Sequence, residues 1–389
     1  MEGLFSRRAY RHIKYFCEEI GPRPAGSDKL TAAQQYCRDL LEGWGYTVAN
    51  QSFVFSRRPW MGFLCSAAGL LLALGSWGFS RIPGLIIWLP LIGAVLPEIS
   101  RWLMTRGACR ERGSNLIASA ESDISEQTLV LCAHLDSAPA LPYRSPLLIW
   151  LQRRWLTVYQ RWAVGLGFLS LFSLLDFLLL PWMRLIIAGL GSFTGGWLIF
   201  SGTWQVVRHG RRWSPGANDN ASGVGLLLAL AEHFQEQPGN NLRLLFVFFD
   251  AEEPGLDGAR AQSQTLTPDA HWVINLDMVG AGDQLRYVKQ DGTIFPLKTD
   301  DHLNQLIASA CPQAKPLVNT RRSGDYLPFL RRGIPTASLE VTGSAAARRA
   351  KHTVKDTLDL IDRRALQQTA EALIKVIAAL QVEGSQSPE

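Results

Sequence analysis

The chain has 389 residues, which is enough for one large domain or two ordinary ones. Hydrophobic residues make up 47% of it, a high share for a soluble enzyme, so membrane-spanning segments have to be considered before the fold. The six cysteines form no C-x-x-C pair, which argues against both a disulfide framework and a thiolate zinc site. The net charge of +5 is a weak sign of an anionic partner, because much of it flanks apolar segments, and we expect no nucleic-acid binding.

The amino-terminal part of the chain is polar and lacks the apolar core of a cleaved signal peptide. Residues 29–44 have the pattern of a helix. The stretch GYTVANQSFVF that follows them alternates between apolar and other residues, as a strand with one buried face does.

Two pairs of apolar segments then interrupt the polar chain: Pro59 to Ser80 with Leu85 to Pro97, and Trp162 to Met183 with Leu185 to Val207. Asp176 is the one charged residue within them. Segments near 20 apolar residues can cross a hydrocarbon core of about 30 Å, so we predict four transmembrane helices arranged as two inserted hairpins. Four buried core helices are the alternative, which the lack of charge on every side disfavours.

Basic residues flank both hairpins on their outer sides, whereas the turns hold only Arg81 and Arg184. The positive-inside rule therefore predicts an integral membrane protein, in the plasma membrane of a bacterium, whose polar domain faces the cytoplasm and whose hairpins contact the lipid bilayer. We predict one discontinuous polar domain of residues 1–58, 105–148 and 210–385. The hairpins would occupy residues 59–104 and 149–209.

Strands and helices alternate in the rest of the chain. TLVLCAHLDS, NLRLLFVFFDAEE, HWVINLDMVG and GIPTASLEV have the pattern of buried strands, while SGVGLLLALAEHF and residues 365–381 are helical. This alternation predicts the α/β class: a three-layer αβα sandwich with a mixed, mostly parallel central sheet, in addition to the four transmembrane helices. Ligands of such sheets bind at the carboxyl ends of the strands.

Acidic and histidine side chains lie at these strand ends and in the adjacent loops: His134, Asp136, Asp219, Glu252, Glu253, Asp277 and His352. Taken singly, each has an ordinary structural interpretation, such as a strand-end histidine, a helix N-cap or a solvated loop. Taken together, two histidines and several carboxylates are ligands suited to zinc. The absence of thiolates favours a catalytic site, in which paired metals would activate a bridging water.

The motifs AHLDS, GANDNASG, FFDAEEPG, NLDMVG and HTVKDT resemble, in this order, those of the family-28 metallopeptidases, the two-zinc aminopeptidases. The opening stretch EEIGPRPAGSDKL and the later stretch SGDYLPFLRRGIPTASLEV are similar to that family as well. The resemblance covers nearly all of the polar chain and none of the four apolar segments. It implies a zinc aminopeptidase-like fold and hydrolysis of peptide bonds.

The family also implies a role for each matching residue. The metal ligands for two Zn²⁺ ions would be His134, Asp219, Glu253, Asp277 and His352, with Asp219 bridging both ions and Co²⁺ or Mn²⁺ as substitutes. Glu252 would be the general base, and Asp136 would orient His134. Of the two adjacent glutamates, Glu253 would thus bind the metal and Glu252 would transfer the proton.

The sequence departs from the family pattern in two loops. Asn218 stands where the family usually has an acidic residue, and Asp325 and Tyr326 lie where it often has Ser-Asp-His. We expect Asp325 and Tyr326 near the substrate, with Tyr326 polarising the scissile carbonyl; ordinary loop packing is the alternative. The basic run of Arg348, Arg349 and Lys351 is a candidate for binding an acidic substrate, with a solvated basic loop as the alternative. Arg348 or Arg321 could bind a terminal carboxylate.

The sequence therefore predicts a membrane-anchored, zinc-dependent exopeptidase of peptide substrates, most simply an aminopeptidase, although carboxypeptidase action stays open. A single-zinc enzyme like the glutaminyl-peptide cyclases is the first alternative, which the presence of His134 disfavours. A non-catalytic membrane receptor or scaffold with a retained zinc site is the second, disfavoured because no proposed ligand or base is missing. A membrane transporter is the third. The sequence predicts no particular oligomeric state.

Overall fold

The computed structural model describes residues 3–56, 110–120, 127–140, 212–235, 242–269, 271–292, 296–319 and 324–384. The helices in these ranges are α1 (Leu4–Tyr15), α2 (Asp28–Gly43), α3 (Ser222–Phe234), α4 (Glu252–Gly255), α5 (Asp257–Ser263), α6 (Asp301–Ala310), α7 (Tyr326–Leu330), α8 (Ala345–Ala350) and α9 (Arg363–Gly384). Short π-helical turns at Phe16–Ile20 and Ala217–Ala221 and a 3-10 turn at Leu358–Leu360 complete the helical elements of the described ranges.

The strands are β1 (Tyr46–Ser56), β2 (Arg110–Ala120), β3 (Thr128–His134), β4 (Arg243–Phe249), β5 (His271–Leu276), β6 (Gln284–Asp291), β7 (Leu297–Lys298), β8 (Lys315–Asn319) and β9 (Thr336–Thr342). They form one sheet in the order β1-β2-β4-β3-β5-β9-β6-β7, with β8 paired to β6 beside this path. The central strands β4, β3, β5 and β9 run parallel, whereas β2 and β6 join them antiparallel. The sheet is therefore mixed, with a parallel centre.

The register of the central strands brings their carboxyl ends to one edge of the sheet. His134, the last residue of β3, pairs with Phe249, the last residue of β4. Leu276, which ends β5, pairs with Leu339 of β9. The residues that follow these strands consequently leave the sheet side by side, at the edge where ligands bind in folds of this class.

Helices cover both faces of this sheet because successive strand residues point to opposite sides. Leu129 and Leu131 of β3 pack in one buried cluster with residues of α1, α3 and α9, while Val130 and Cys132 pack in another with residues of α5 and α7. The apolar helix α3 is buried along nearly its whole length. It packs against α1 and β3 and forms the centre of the first layer.

The predicted transmembrane helices are the part of the fold class that the structure does not support. No helix in the described ranges is both long enough and apolar enough to cross a membrane. Helix α9 has 22 residues but exposes charged side chains such as Glu371 and Lys375, and the apolar helix α3 has only 13 residues. A span needs about 20 apolar residues. The fold class is therefore corrected to a mixed α/β sheet fold.

The segments predicted as hairpins, residues 59–104 and 149–209, lie outside the described residues. The predicted localisation, an integral membrane protein with a cytoplasmic domain, depended on those helices and is corrected together with the fold class. The chain divides into one compact unit of Met1–Phe55, Glu111–Ala140 and Arg212–Glu389 and another of Ser56–Arg110 and Leu141–Arg211. The domain boundaries given above stay a prediction.

Arg23 connects three segments that approach the carboxyl edge of the sheet. Its side chain is fully buried. The guanidinium donates to the carbonyl oxygens of Leu135 (2.9 Å), Gly21 (3.0 Å), Gly216 (3.1 Å) and Pro215 (3.2 Å). These carbonyls belong to the α1–α2 connection, the end of β3 and the loop before α3. Because an arginine has five N–H donors in a rigid fork, one side chain fixes all three segments.

His12 of α1 is a buried histidine in the layer that covers α3. It is fully buried, and its Nδ1 lies 2.8 Å from the hydroxyl of Tyr36 on α2. Burial lowers the pKa of His12 to about 3, with smaller contributions from the positive charges of Arg11 and Arg8. The folded chain therefore keeps this imidazole neutral at pH values where an unfolded chain would protonate it.

Replacing Arg23 with Met should destabilise the fold, because several buried carbonyl oxygens would lose their donor. We expect the free energy of unfolding to fall by about 3–5 kcal/mol, measured by urea denaturation followed by circular dichroism. Arg7→Met is the matched control, since the Arg7 guanidinium is exposed and bonds only the Gly3 carbonyl in the described ranges. It should cost less than about 1 kcal/mol. Equal losses in both variants would contradict the role given to Arg23.

Acid should weaken the wild type more than a His12→Gln variant. The pKa of His12 is depressed on folding, so the unfolded state binds more protons and stability falls as pH drops from about 6.5 towards 3. Between pH 7 and pH 5 the wild type should lose about 2 kcal/mol more unfolding free energy than the variant, which does not titrate at this position. Urea denaturation at both pH values measures the difference. An equal loss of unfolding free energy in the wild type and the variant would show that His12 takes up a proton in the folded chain as readily as in the unfolded chain.

Candidate metal centre and catalytic site

Two clusters of ligand-type side chains meet at the carboxyl edge of the sheet. The first contains His134 at the end of β3, Asp277 directly after β5 and Asp219 in the turn before α3, with donor atoms within 4.8 Å of one another. His134 Nε2 lies 3.4 Å from Asp219 Oδ1 and 3.9 Å from Asp277 Oδ1. The register of the parallel strands thus brings His134 and Asp277 together, and the turn before α3 adds Asp219.

The second cluster contains Asp219, Glu253 and His352. His352 Nε2 lies 3.1 Å from Asp219 Oδ2 and 3.4 Å from Glu253 Oε2. Asp219 belongs to both clusters, because its Oδ1 is turned to His134 and its Oδ2 to His352. One carboxylate therefore connects the two sets of donor atoms.

The donor atoms of these clusters fit a metal ion. His134 Nε2, Asp277 Oδ1 and Glu253 Oε1 are buried and have no hydrogen-bond partner within the described part of the chain. Such atoms are costly to bury unless something satisfies them, and coordination to a cation would do so. Imidazole nitrogens together with carboxylate oxygens are a donor set that zinc accepts.

Hydrogen bonds to the backbone hold the turn that carries Asp219. The carboxylate of Asp356 accepts from the N–H groups of Asn218 (2.9 Å) and Asp219 (3.0 Å). The side-chain amide of Asn220 donates to the carbonyl oxygen of Leu276 (2.8 Å), the last residue of β5. The turn is thereby tied to the strand that delivers the third member of the first cluster.

Asn218 shows what the departure from the family pattern changes. Its side-chain oxygen accepts a hydrogen bond from the N–H of Gly280 (3.1 Å), and its backbone oxygen accepts one from the Ser222 hydroxyl (2.7 Å). A carboxylate at position 218 could accept the same bond from Gly280. The amide therefore keeps this contact and removes one negative charge beside Asp219.

Asp136 fixes the loop that presents the adjacent glutamates. Its two carboxylate oxygens accept hydrogen bonds from the N–H groups of Glu252 (3.1 Å) and Glu253 (3.0 Å), which begin the short helix α4. Asp136 Oδ1 also lies 3.5 Å from His134 Nδ1, and the backbone oxygen of Asp136 lies 3.1 Å from the same nitrogen. A single buried residue therefore positions members of both clusters.

The surroundings of Glu252 raise the pKa of its carboxyl to about 7. Burial is the largest cause, and the negative charges of Asp277, Asp136 and Asp219 add to it, while His134 acts in the opposite direction. A carboxyl with a pKa near neutrality is able both to accept and to release a proton, as a general base has to do.

Charges in the clusters compensate one another. Burial alone would raise the pKa of Asp219, but Lys351, His134 and His352 outweigh it and hold that pKa well below its usual value. Burial alone would lower the pKa of His134, but the charge of Glu252 and the close carboxylates of Asp136, Asp219 and Asp277 raise it well above its usual value. Asp219 is therefore an ionised carboxylate although it is only 2% exposed.

The three residues expected near the substrate occupy different surroundings. Asp325 is buried, neither of its oxygens has a hydrogen-bond partner within the described ranges, and burial together with the charge of Glu252 raises its pKa well above the usual value. The buried hydroxyl of Tyr326 donates to Asp291 (2.7 Å), a bond that turns it to β6. Arg348 is exposed on α8.

Lys351 and Asp356 also lie at the site. The sequence pattern suggests Lys351 only as part of a basic run that could bind an acidic substrate, and it suggests no role for Asp356. Lys351 Nζ lies 3.2 Å from Asp219 Oδ2, and Asp356 holds the backbone of the same residue. The motif HTVKDT contains Asp356, so its position after His352 was an available signal. For Lys351 the signal was the basic run, although a lysine in such a run is usually solvated.

Comparison with known proteins identifies part of this chain. The family model described as Peptidase family M28 matches residues 196–377, which include every proposed site residue except His134 and Asp136. Aminopeptidase YwaD of Bacillus subtilis (strain 168) is 26% identical over 178 residues, covering 42% of this chain and 38% of that protein. The chain therefore spans less than half of the length of this relative.

Solved structures share the fold at low sequence identity. A leucine aminopeptidase precursor from Bacteroides thetaiotaomicron VPI-5482 has a TM-score of 0.57 and 18% identity, covering 96% of each chain. The glutaminyl cyclase of Porphyromonas gingivalis has a TM-score of 0.57 and 16% identity, covering 96% of this chain and 98% of the other. The mixed α/β sheet fold is therefore shared with these proteins. In sequence, the chain is similar to family M28 peptidases over residues 196–377.

Proposed function

We propose that the protein is a zinc-dependent aminopeptidase that acts on peptide substrates. The observation that carries the proposal is the pair of three-residue clusters that share Asp219, with Glu252 directly before a member of the second cluster. The family match and the relative named as an aminopeptidase support the same reaction class.

Two zinc ions would be held by these clusters. His134, Asp219 and Asp277 would hold one ion, and Asp219, Glu253 and His352 the other. Bound zinc polarises carbonyl groups and lowers the pKa of water, which supplies a nucleophile at neutral pH. Asp136 keeps His134 oriented and fixes the glutamate loop, so that the ligands stay in place as a substrate binds.

Glu252 would move the proton during the reaction. Its carboxylate accepts a proton from the attacking water as the water oxygen bonds to the carbonyl carbon of the scissile bond. The same carboxyl then gives the proton to the nitrogen when the carbon–nitrogen bond breaks, so that an amine leaves. A pKa near 7 suits both halves of this transfer.

A glutaminyl cyclase reaction is the second candidate, because a cyclase shares this fold with the same TM-score as an aminopeptidase. The two candidates differ in the first cluster. A cyclase-like single-zinc site would have no use for His134 Nε2 as a ligand, whereas a two-metal site needs it. The number of bound metals and the products formed therefore distinguish the two.

The purified chain of 389 residues should release amino-terminal residues from amino-acid amides and dipeptides in the presence of zinc. A chelator should abolish the release and added zinc should restore it, because the clusters have no other source of a Lewis acid. Mass spectrometry of the products and elemental analysis of the metal would measure both predictions. Cyclised glutaminyl products with one zinc per chain would replace the proposal by the second candidate, and carboxy-terminal release would replace it by a carboxypeptidase.

Glu252→Gln should lower kcat at least about 100-fold, because the variant keeps the size of the side chain but cannot accept the proton. Its zinc content should equal that of the wild type. Glu253→Gln is the matched comparison: it should lose metal together with activity, since Glu253 lies in the second cluster. Glu42→Gln, on the surface of α2, should change neither. Retained activity in the Glu252 variant would rule out this residue as the base.

A further inference from the structure

Lys351 places a positive charge at the candidate centre. Its Nζ lies 3.2 Å from Asp219 Oδ2, the same oxygen that His352 Nε2 approaches at 3.1 Å. The side chain of Lys351 is 40% exposed, whereas that of Asp219 is 2% exposed. The ammonium group therefore contacts the shared carboxylate at the candidate centre, among the charges of Asp277, Glu253 and Glu252.

Hydrogen bonds hold the backbone on both sides of Lys351 in place. The Lys351 N–H donates to the carbonyl oxygen of Ala347 (3.0 Å), and this bond closes the last turn of helix α8. The Thr353 hydroxyl donates to the Ala350 carbonyl (2.7 Å). The next residue, His352, has a φ of 56°, and this left-handed turn directs both neighbouring side chains to Asp219. The same turn therefore positions Lys351 and the proposed ligand His352.

Hydrolysis of a peptide bond requires a donor for the carbonyl oxygen, because negative charge develops on that oxygen as water adds to the carbon. Preorganised donors aimed at this charge are commonly the largest single contribution to such catalysis. From the sequence, Tyr326 is the expected hydrogen-bond donor to this carbonyl oxygen. The structure instead directs the Tyr326 hydroxyl to Asp291, at 2.7 Å, in a buried position.

We propose that Lys351 is a catalytic residue of the proposed peptidase and donates a hydrogen bond to the carbonyl oxygen of the scissile bond. This assignment rests on the proposed function. When the water oxygen bonds to the carbonyl carbon, the electron pair of the carbonyl moves to its oxygen, and the Lys351 ammonium stabilises the resulting oxyanion. The pair returns as the carbon–nitrogen bond breaks, Glu252 protonates the leaving amine, and Lys351 keeps its own protons throughout.

A purely charge-balancing lysine is the competing interpretation of the same contact. The two roles are compatible in geometry, because an ammonium group has three donors and can bond a carboxylate and a second oxygen at once. The flexible four-carbon stem also allows Nζ to move from Asp219 to a substrate oxygen without moving the backbone.

The test compares Lys351→Met and Lys351→Arg with Arg349→Met as a matched control. Arg349 belongs to the same basic run, but its side chain is exposed and donates to Ala345 of its own helix. On the amino-acid amide that the wild type hydrolyses fastest, Lys351→Met should lower kcat about 100-fold and change KM less than about threefold. Lys351→Arg should recover at least about a tenth of the wild-type kcat, and Arg349→Met should behave as the wild type.

Binding gives a readout that does not depend on turnover. The phosphonic-acid analogue of the same amino acid imitates the tetrahedral arrangement, so Lys351→Met should weaken its binding by about the factor lost in kcat, while the free amino acid binds as before. Zinc content should be unchanged. A kcat within threefold of the wild type, an effect on KM alone, or loss of zinc in the methionine variant would each overturn the assignment. A wild type that hydrolyses no peptide would instead overturn the proposed function, and this assignment with it.

Discussion

The shared carboxylate of Asp219 is the constraint on which the candidate site depends. One of its oxygens faces His134 and the other faces His352, so a small rotation of the side chain would remove it from one cluster. Asp219 also has to stay ionised although it is buried, and the positive charge of Lys351 and the nearby imidazoles of His134 and His352 make this possible. Its position is set through the backbone, because Asp356 binds its N–H group at 3.0 Å. The geometry of the site therefore depends mainly on the backbone conformation of the turn that carries Asp219.

Carboxylates that bind backbone N–H groups are used repeatedly around this turn. Asp136 binds the N–H groups of the adjacent glutamates, Asp356 those of the turn before α3, and Asp250 those of Gly26 and Ser114. Charge-assisted bonds of this kind are roughly twice as strong as neutral ones. Burial raises the pKa of Asp356 to about 6 and that of Asp250 to about 8, so Asp250 accepts its bonds as a mostly protonated carboxyl group at neutral pH. Loops that are rigid enough to place ligands are stabilised here by acidic residues that are not ligands themselves.

The strands β3, β4, β5 and β9 were predictable from the sequence because each is a run of apolar residues that ends in polar ones. Since such strands pair in parallel, their carboxyl ends were expected to meet at one edge of the sheet. Contacts between distant segments were not predictable. Nothing local indicates that Tyr326 bonds Asp291 of β6, or that Arg23 is enclosed by carbonyl groups. The predicted membrane helices illustrate another limit. The segments that gave that prediction lie outside the described residues. Within them, α3 shows that a helix without charge on any side of its first three turns can be enclosed by the sheet and α1, so hydropathy alone does not identify a membrane helix.

Left-handed backbone conformation explains how neighbouring residues serve one site. Side chains of adjacent residues on an extended strand point to opposite faces, so Glu252 with Glu253, and Lys351 with His352, could not share a site on a regular strand. In the described ranges the non-glycine residues with positive φ are Ala251, Leu256, Met278 and His352. Ala251 precedes the glutamate pair, Met278 follows Asp277, and His352 is itself a proposed ligand. This conformation costs about 1–3 kcal/mol per residue and persists only where the surroundings enforce it. Its concentration beside the proposed ligands indicates that packing elsewhere in the fold sustains the strain that brings base, cation and ligands together.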